Sequence, residues 1–237
     1  NGINDERVAS IVGVEKALGC VVSISAACYE PGEVMRTDDY PLGFKVGEHD
    51  GSKSKRATRI AEILNYVADS KVTTDLWGDR WSKLMLNCMT NALAGLTGYS
   101  TSEVRTIVAV RRVGIQLGAE VVKVATALGY KLQPISGVSP EEVINAAEGK
   151  NIEVLENAML EAARRAGTDA RPSFGQDVLK KRRTEIEFLN GYVSQKGRDV
   201  NVPTPFNDTI VKIVLDLGIG FSADPANIDE LIGMLPY

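Results

Sequence analysis

The chain has 237 residues, enough for one large domain or two small ones, and 44% hydrophobic residues support an ordinary globular core. A net charge of −4 and a pI near 5.3 argue against a nucleic-acid partner, whose footprint is basic. No run of about 18 apolar residues is present to span a membrane. Three cysteines in no metal-ligand spacing read as reduced, mostly buried thiols of a cytoplasmic protein, and one histidine excludes a multi-histidine metal site.

Residues 5–18 read as a helix. Asp5 and Glu6 stand in the first turn, Val8, Ile11, Val12 and Leu18 form an apolar stripe, and Gly19 is a plausible C-cap. Cys20–Ser25 is a short β-rich run. Pro31-Gly32 marks a turn, followed by a second strand at Glu33–Thr37. Gly43–Glu48 alternates as a third strand, closed by Asp50-Gly51, next to which His49 reads as a solvated loop residue. Residues 53–69 are helical by the spacing of Ala57, Ile60, Ile63, Leu64 and Val67, and Lys71–Thr74 is a last short strand. Strand signals then stop. Helices are expected over roughly 77–97, 102–128, 139–165, 174–197 and 206–218, which places a domain boundary near residue 75.

The longest of these patterns is the most informative. Leu84, Cys88, Leu93 and Leu96 follow a helical period, while Lys83, Asn87 and Asn91 recur at i, i+4 and i+8. At that spacing the three drift only ~80° around the axis, so they share a face. A row of one ammonium and two carboxamides suits an anionic, oxygen-rich small molecule; a solvated polar face is the plainer alternative. Gly218-x-Gly220-x-x-Ala223 matches a dinucleotide fingerprint by letters, but no strand precedes it and Asp224-Pro225 follows at once. It reads as a helix end. Ser173, with Gln176 three residues on, reads as a capping box, and Lys180–Arg183 as a solvated basic run.

Four blocks in order resemble the ketopantoate (2-dehydropantoate) 2-reductase family. They are Asn1-Gly2-Ile3; Trp81-Ser-Lys83 through Asn87 and Asn91 to Thr97; Pro172-Ser173-Phe-Gly-Gln176-Asp177 through Thr184-Glu185-Ile-Glu187; and Val202-Pro203-Thr-Pro205-Phe-Asn207. Pro172 departs from relatives in which a second serine is common. The resemblance implies an α/β remnant of a Rossmann-type domain over 1–75, the C-terminal part of a nucleotide-binding domain. An all-α helical domain for substrate binding and dimerisation would follow over 76–237, of the 6-phosphogluconate-dehydrogenase type. It also implies NADPH-dependent reduction of a 2-oxo acid, with no metal, in a cytoplasmic homodimer.

By resemblance, Lys83 is the general acid and Glu185 supports it or binds a substrate hydroxyl. Asn87, Asn91, Ser173 and Asn1 hold the substrate, and Asn1 also lies near the nicotinamide. Hydride reduction of a ketone leaves charge on oxygen, which a lysine can both stabilise and protonate. Glu185 lies twelve residues past Ser173, a little over three helical turns, with Asp177 facing similarly. Glu187 points about 200° away and is not expected to share the task. The family's glycine-rich half is not seen in this sequence, so this chain alone is expected to be inactive. A related reductase of another 2-oxo or opine-like acid, and a non-catalytic dimerisation module, remain alternatives.

Overall fold

The computed structural model describes residues 1–28, 30–36, 42–135, 137–165 and 171–236. The chain divides into two compact units, Ile3–Lys83 and Asn1–Gly2 with Leu84–Tyr237.

The smaller unit is α/β. Helix α1 (Asp5–Val12) leads to β1 (Gly19–Val22), β2 (Ala26–Ala27), β3 (Met35–Arg36), β4 (Leu42–Gly47), α2 (Lys55–Leu64) and β5 (Asp69–Val72). A three-stranded sheet has the order β1-β4-β5, with β1 antiparallel and β5 parallel to β4; β2 and β3 pair separately. The β4–β5 pair is parallel because α2 makes the crossover between them. Val46, Ala57 and Ala61 form its buried centre. Ser54 caps α2 by accepting from the Ala57 N–H.

Several expectations are corrected here. Helix α1 stops at Val12, where Gly13 takes φ +90°, and Gly19 opens a strand instead of capping a helix. Its apolar stripe is left exposed: Ile11 is 76% accessible. Helix α2 ends at Leu64, and Val67 is exposed beyond it. The second strand is confined to Met35–Arg36, with Thr37 outside the described residues, and the β2 strand pairing with it carried no signal. His49 is not solvated. Its Nε2 lies 3.0 Å from Asp5 Oδ1, which also accepts from Arg80 Nη2 at 2.8 Å, and its carbonyl accepts from Trp77 Nε1. Asp5 is thus a buried carboxyl that His49 and Arg80 share. Of the thiols expected to be mostly buried, Cys88 is buried, Cys20 half-buried and Cys28 exposed.

The larger unit is helical. Helix α3 (Leu76–Thr97) begins in the smaller unit and continues into this one, followed by α4 (Thr101–Thr106), α5 (Val108–Ala127), α6 (Pro140–Ala147), α7 (Ile152–Arg165), α8 (Ser173–Leu179), α9 (Asn190–Asp199), α10 (Pro205–Leu217) and α11 (Asp229–Gly233). The leucine and cysteine stripe of α3 buries as its spacing requires: Leu84, Cys88, Leu93 and Leu96 are at most 1% accessible. Within the larger unit α3 meets α5 through small residues. A Cβ at Gly114 would lie 2.6 Å from the Met89 carbonyl oxygen, and one at Gly118 2.6 Å from Met89 Cγ. Gly218 ends α10, as expected of a helix end rather than a phosphate loop.

Three expected long helices are broken. The first splits at Ile107, whose ψ of 117° is extended. The second stops at Gly149, where Lys150 N–H reaches back to Asn145 and Gly149 N–H to Ala146, the paired bonds of a Schellman end. The third stops after Leu179 in the same way, but with Lys181 in the left-handed position at φ +53°.

Candidate active site

Ser173 is the first residue of α8, with Pro172 in the capping position. The expected capping box is not formed: Pro172, not Ser173, takes the capping position, and the Gln176 amide donates to the Arg171 carbonyl. The Ser173 hydroxyl is therefore available elsewhere and donates to Glu185 Oε1 at 2.5 Å. Glu185 does not reach it along a continuous helix. The Schellman end of α8 and the exposed basic run turn the chain back, and Glu185 heads a single 3₁₀ turn, Ile186–Phe188. Asn1 completes the group: its Nδ2 donates to Ser173 Oγ at 2.7 Å and to Glu185 Oε1 at 3.1 Å. A carboxylate, a hydroxyl and a carboxamide thus converge from three parts of the sequence.

Phe174, next to Ser173, is wholly buried and fixes α8 in the core. A Cβ on Gly95 would lie 2.3 Å from its ring, so the absence of a side chain on α3 lets α8 approach this closely. Asp177, one turn on from Ser173, has its carboxyl pushed up, first by burial and then by the charge of Glu185. Glu187 leaves the group and pairs with Arg183, as its direction required.

Lys83 stands at the end of the smaller unit. Its ammonium donates to the Val22 carbonyl of β1. Arg80, three residues earlier, donates to the Cys20 carbonyl at 2.9 Å. Ser23 N–H pairs with Gly43 on β4, so alternation turns the carbonyls of Cys20 and Val22 to the opposite edge of β1, where α3 supplies the donors. Asn87 is half-buried and Asn91 is buried, both on the part of α3 that belongs to the larger unit.

A second polar group gathers around Asn207, the last residue of the fourth block, and adds Glu120, which no motif singled out. Glu120 lies within the apolar helix α5, 7% accessible. Its two oxygens accept from the Phe206 and Asn207 N–H groups in the first turn of α10, at 2.8 and 2.9 Å. Asn207 Nδ2 donates to Glu120 Oε2 and to the Leu117 carbonyl, and Asn207 Oδ1 accepts from Asn190 Nδ2. Burial pushes the Glu120 carboxyl up to about 7 against the pull of these donors. For Glu120 itself the hint in the sequence was a lone acid in the run Ala119-Glu120-Val121-Val122.

The model of the ketopantoate reductase PanE/ApbA C-terminal family matches residues 75–217. The chain belongs to that family. Among curated relatives, the 2-dehydropantoate 2-reductase of Archaeoglobus fulgidus is 25% identical over 216 residues, covering 90% of this chain and 65% of the relative. That of Pyrococcus horikoshii is 23% identical over 210 residues, covering 87% and 62%. The chain therefore spans under two thirds of the length of these ketopantoate reductases.

A PanE/ApbA family ketopantoate reductase from Ralstonia eutropha JMP134 has a TM-score of 0.69 at 22% identity, over 90% of this chain and 63% of that one. A D-mandelate dehydrogenase in complex with NADH gives 0.73 at 21%, over 91% and 67%. At these identities the likeness establishes the shared fold. The matched residues 75–217 take in most of the helical portion, which follows the α/β one in sequence. Among the described residues no helix is long and apolar enough to cross a membrane, and no cluster of His, Cys, Asp or Glu is placed to hold a metal.

Proposed function

We propose that the natural polypeptide carrying this chain reduces a 2-oxo acid with NADPH, converting 2-dehydropantoate to pantoate in pantothenate biosynthesis, as a cytoplasmic homodimer. The convergence of Asn1, Ser173 and Glu185 carries this reading. These three residues lie 172 and 12 positions apart in sequence, yet share hydrogen bonds. A hydroxyl and a carboxamide donate to a carboxylate or carbonyl, and Glu185 accepts from a substrate hydroxyl or an ammonium. Lys83 is the general acid for the ketone oxygen, Asn87 and Asn91 bind substrate oxygens, and Asn1 and Ser173 hold the acid. Glu185 supports the lysine.

Bound NADPH would supply the hydride. Of this chain, Asn1 would meet its nicotinamide end, while the described residues contain no strand–glycine loop–helix unit for its phosphates. Residues 1–75 are read as the C-terminal part of the nucleotide-binding domain and 76–237 as the substrate and dimerisation domain. The homodimer is supported by a solved ketopantoate reductase from Staphylococcus aureus described as dimeric, with a TM-score of 0.61.

The test is cofactor oxidation by that natural polypeptide with 2-dehydropantoate, comparing NADPH with NADH, alongside aryl 2-oxo acids of the kind the D-mandelate dehydrogenase suggests. Lys83→Ala should lower kcat about 10³-fold. Ser173→Ala should act mainly on KM. Turnover confined to another oxo acid would replace the substrate, and no turnover with any would refute the reading in favour of a non-catalytic dimerisation module.

A further inference from the structure

Gly2 occupies a position that a side chain cannot enter without a shift of backbone. Its φ is +82°, in the left-handed region that glycine tolerates. A Cβ built there would lie 2.3 Å from the Phe188 carbonyl oxygen and 3.3 Å from its carbon. The obstacle is backbone, so no rotamer change relieves it. That backbone is also tied to the site: the N–H groups of Phe188 and Leu189 both donate to the Glu185 carbonyl, at 3.0 and 3.2 Å. The Phe188 carbonyl is thus fixed relative to Glu185, and Gly2 lies against it one residue from the carboxamide that bridges Ser173 and Glu185.

We infer that Gly2 is a positioning residue for the reaction: its bare Cα resting on the Phe188 carbonyl sets the place of the Asn1 amide over Ser173 and Glu185. The inference rests on the functional reading above, in which those three residues meet the substrate. A side chain at residue 2 must lift the segment, move the amide off both partners, and leave the rest of the larger unit in place.

The experiment is a double-variant cycle in the natural polypeptide, scored by 2-oxo-acid-dependent cofactor oxidation with thermal unfolding of each variant alongside. Gly2→Ala should lower kcat/KM about 100-fold, comparable to Asn1→Ala. The double variant should be no worse than Asn1→Ala alone, because without the amide nothing remains to be positioned. Gly2→Asn, which tolerates positive φ, retains the collision and should fall with Gly2→Ala.

Additive losses, or either Gly2 variant within about twofold of the unsubstituted protein, would overturn the inference while leaving the functional reading intact. So would failure of both Gly2 variants to fold where Asn1→Ala folds, since Gly2 would then serve folding alone. Absence of turnover in the unsubstituted protein would overturn the functional reading, and this inference with it.

Discussion

Asn207 joins α5, α9 and α10 through one carboxamide, and its removal should be among the most damaging single truncations in the larger unit. The side chain is fully buried. Asn207→Ala deletes the bond to Glu120 Oε2 (2.7 Å), the bond to the Leu117 carbonyl (3.1 Å) and the acceptor for Asn190 Nδ2 (2.9 Å). A hydrogen bond contributes about 0.5–1.5 kcal/mol to a neutral acceptor and about 1.5–3 kcal/mol to an ionised one, and a buried donor left unpaired costs about 1–3 kcal/mol. The losses share partners and overlap, so the expected total is about 3–5 kcal/mol. In a protein of this size that corresponds to a fall in Tm of roughly 6–20 °C. Urea unfolding followed by far-UV circular dichroism measures it directly. A loss under about 1 kcal/mol with an unchanged m-value would show that the network is not what holds α10 to α5. Asn207→Asp is the sharper companion. It sets two carboxylates against each other, which must share a proton, so this variant should recover stability as pH falls from about 8 to about 5.

In the unsubstituted protein, burial holds the Glu120 carboxyl near 7, against an ordinary 4.5. The folded state therefore retains a proton that the unfolded chain releases. Its contribution to stability is full below pH 4.5 and declines as pH rises to about 7, by up to about 3 kcal/mol. Comparing pH–stability profiles of the unsubstituted protein and Glu120→Gln isolates it: identical slopes between pH 5 and 7 would refute the assignment. In the smaller unit, Asp5→Ala strands the Arg80 guanidinium, now 17% accessible, and removes the partner of His49. The expected destabilisation is about 3 kcal/mol, and Asp5→Asn should recover part of it by keeping an acceptor for both. A neutral result from Asp5→Ala in thermal unfolding would mean the cluster does not hold α1 to the unit.

How far the fold could be read ahead of the structure depended on what ended each helix. Periodicity located α3 and its buried stripe because apolar side chains at 84, 88, 93 and 96 have only one face to share. Termini were another matter. Gly13 and Gly149 stop helices from inside runs whose spacing continues past them, and spacing alone does not register a left-handed residue. Lys181 and Asn201 end helices at φ +53° and +55° with ordinary side chains. The stabilising element there is the pair of reversed backbone bonds, which leaves no mark in composition. The exposed stripe of α1 shows the converse: Val8, Ile11 and Val12 have amphipathic spacing, yet spacing does not say what, if anything, covers them.

The site divides along the same line. Ser173 and Glu185 were expected in the site by resemblance, with a little over three helical turns between them; the structure joins them through a helix end and a reversal. Twelve residues of helix would have set them about 18 Å apart along the axis, too far for a hydrogen bond. It is the break at Lys181 that makes the contact possible, so the feature invisible in the sequence is the one that creates the site. Asn1 could be brought to this pair only by resemblance to a known family, since no local pattern relates positions 172 residues apart. What the physical chemistry adds is the reason such a contact can hold: a carboxamide has two N–H donors, Ser173 and Glu185 present acceptor oxygens, and the collision that any side chain at residue 2 would suffer shows how tightly that end of the chain is laid down.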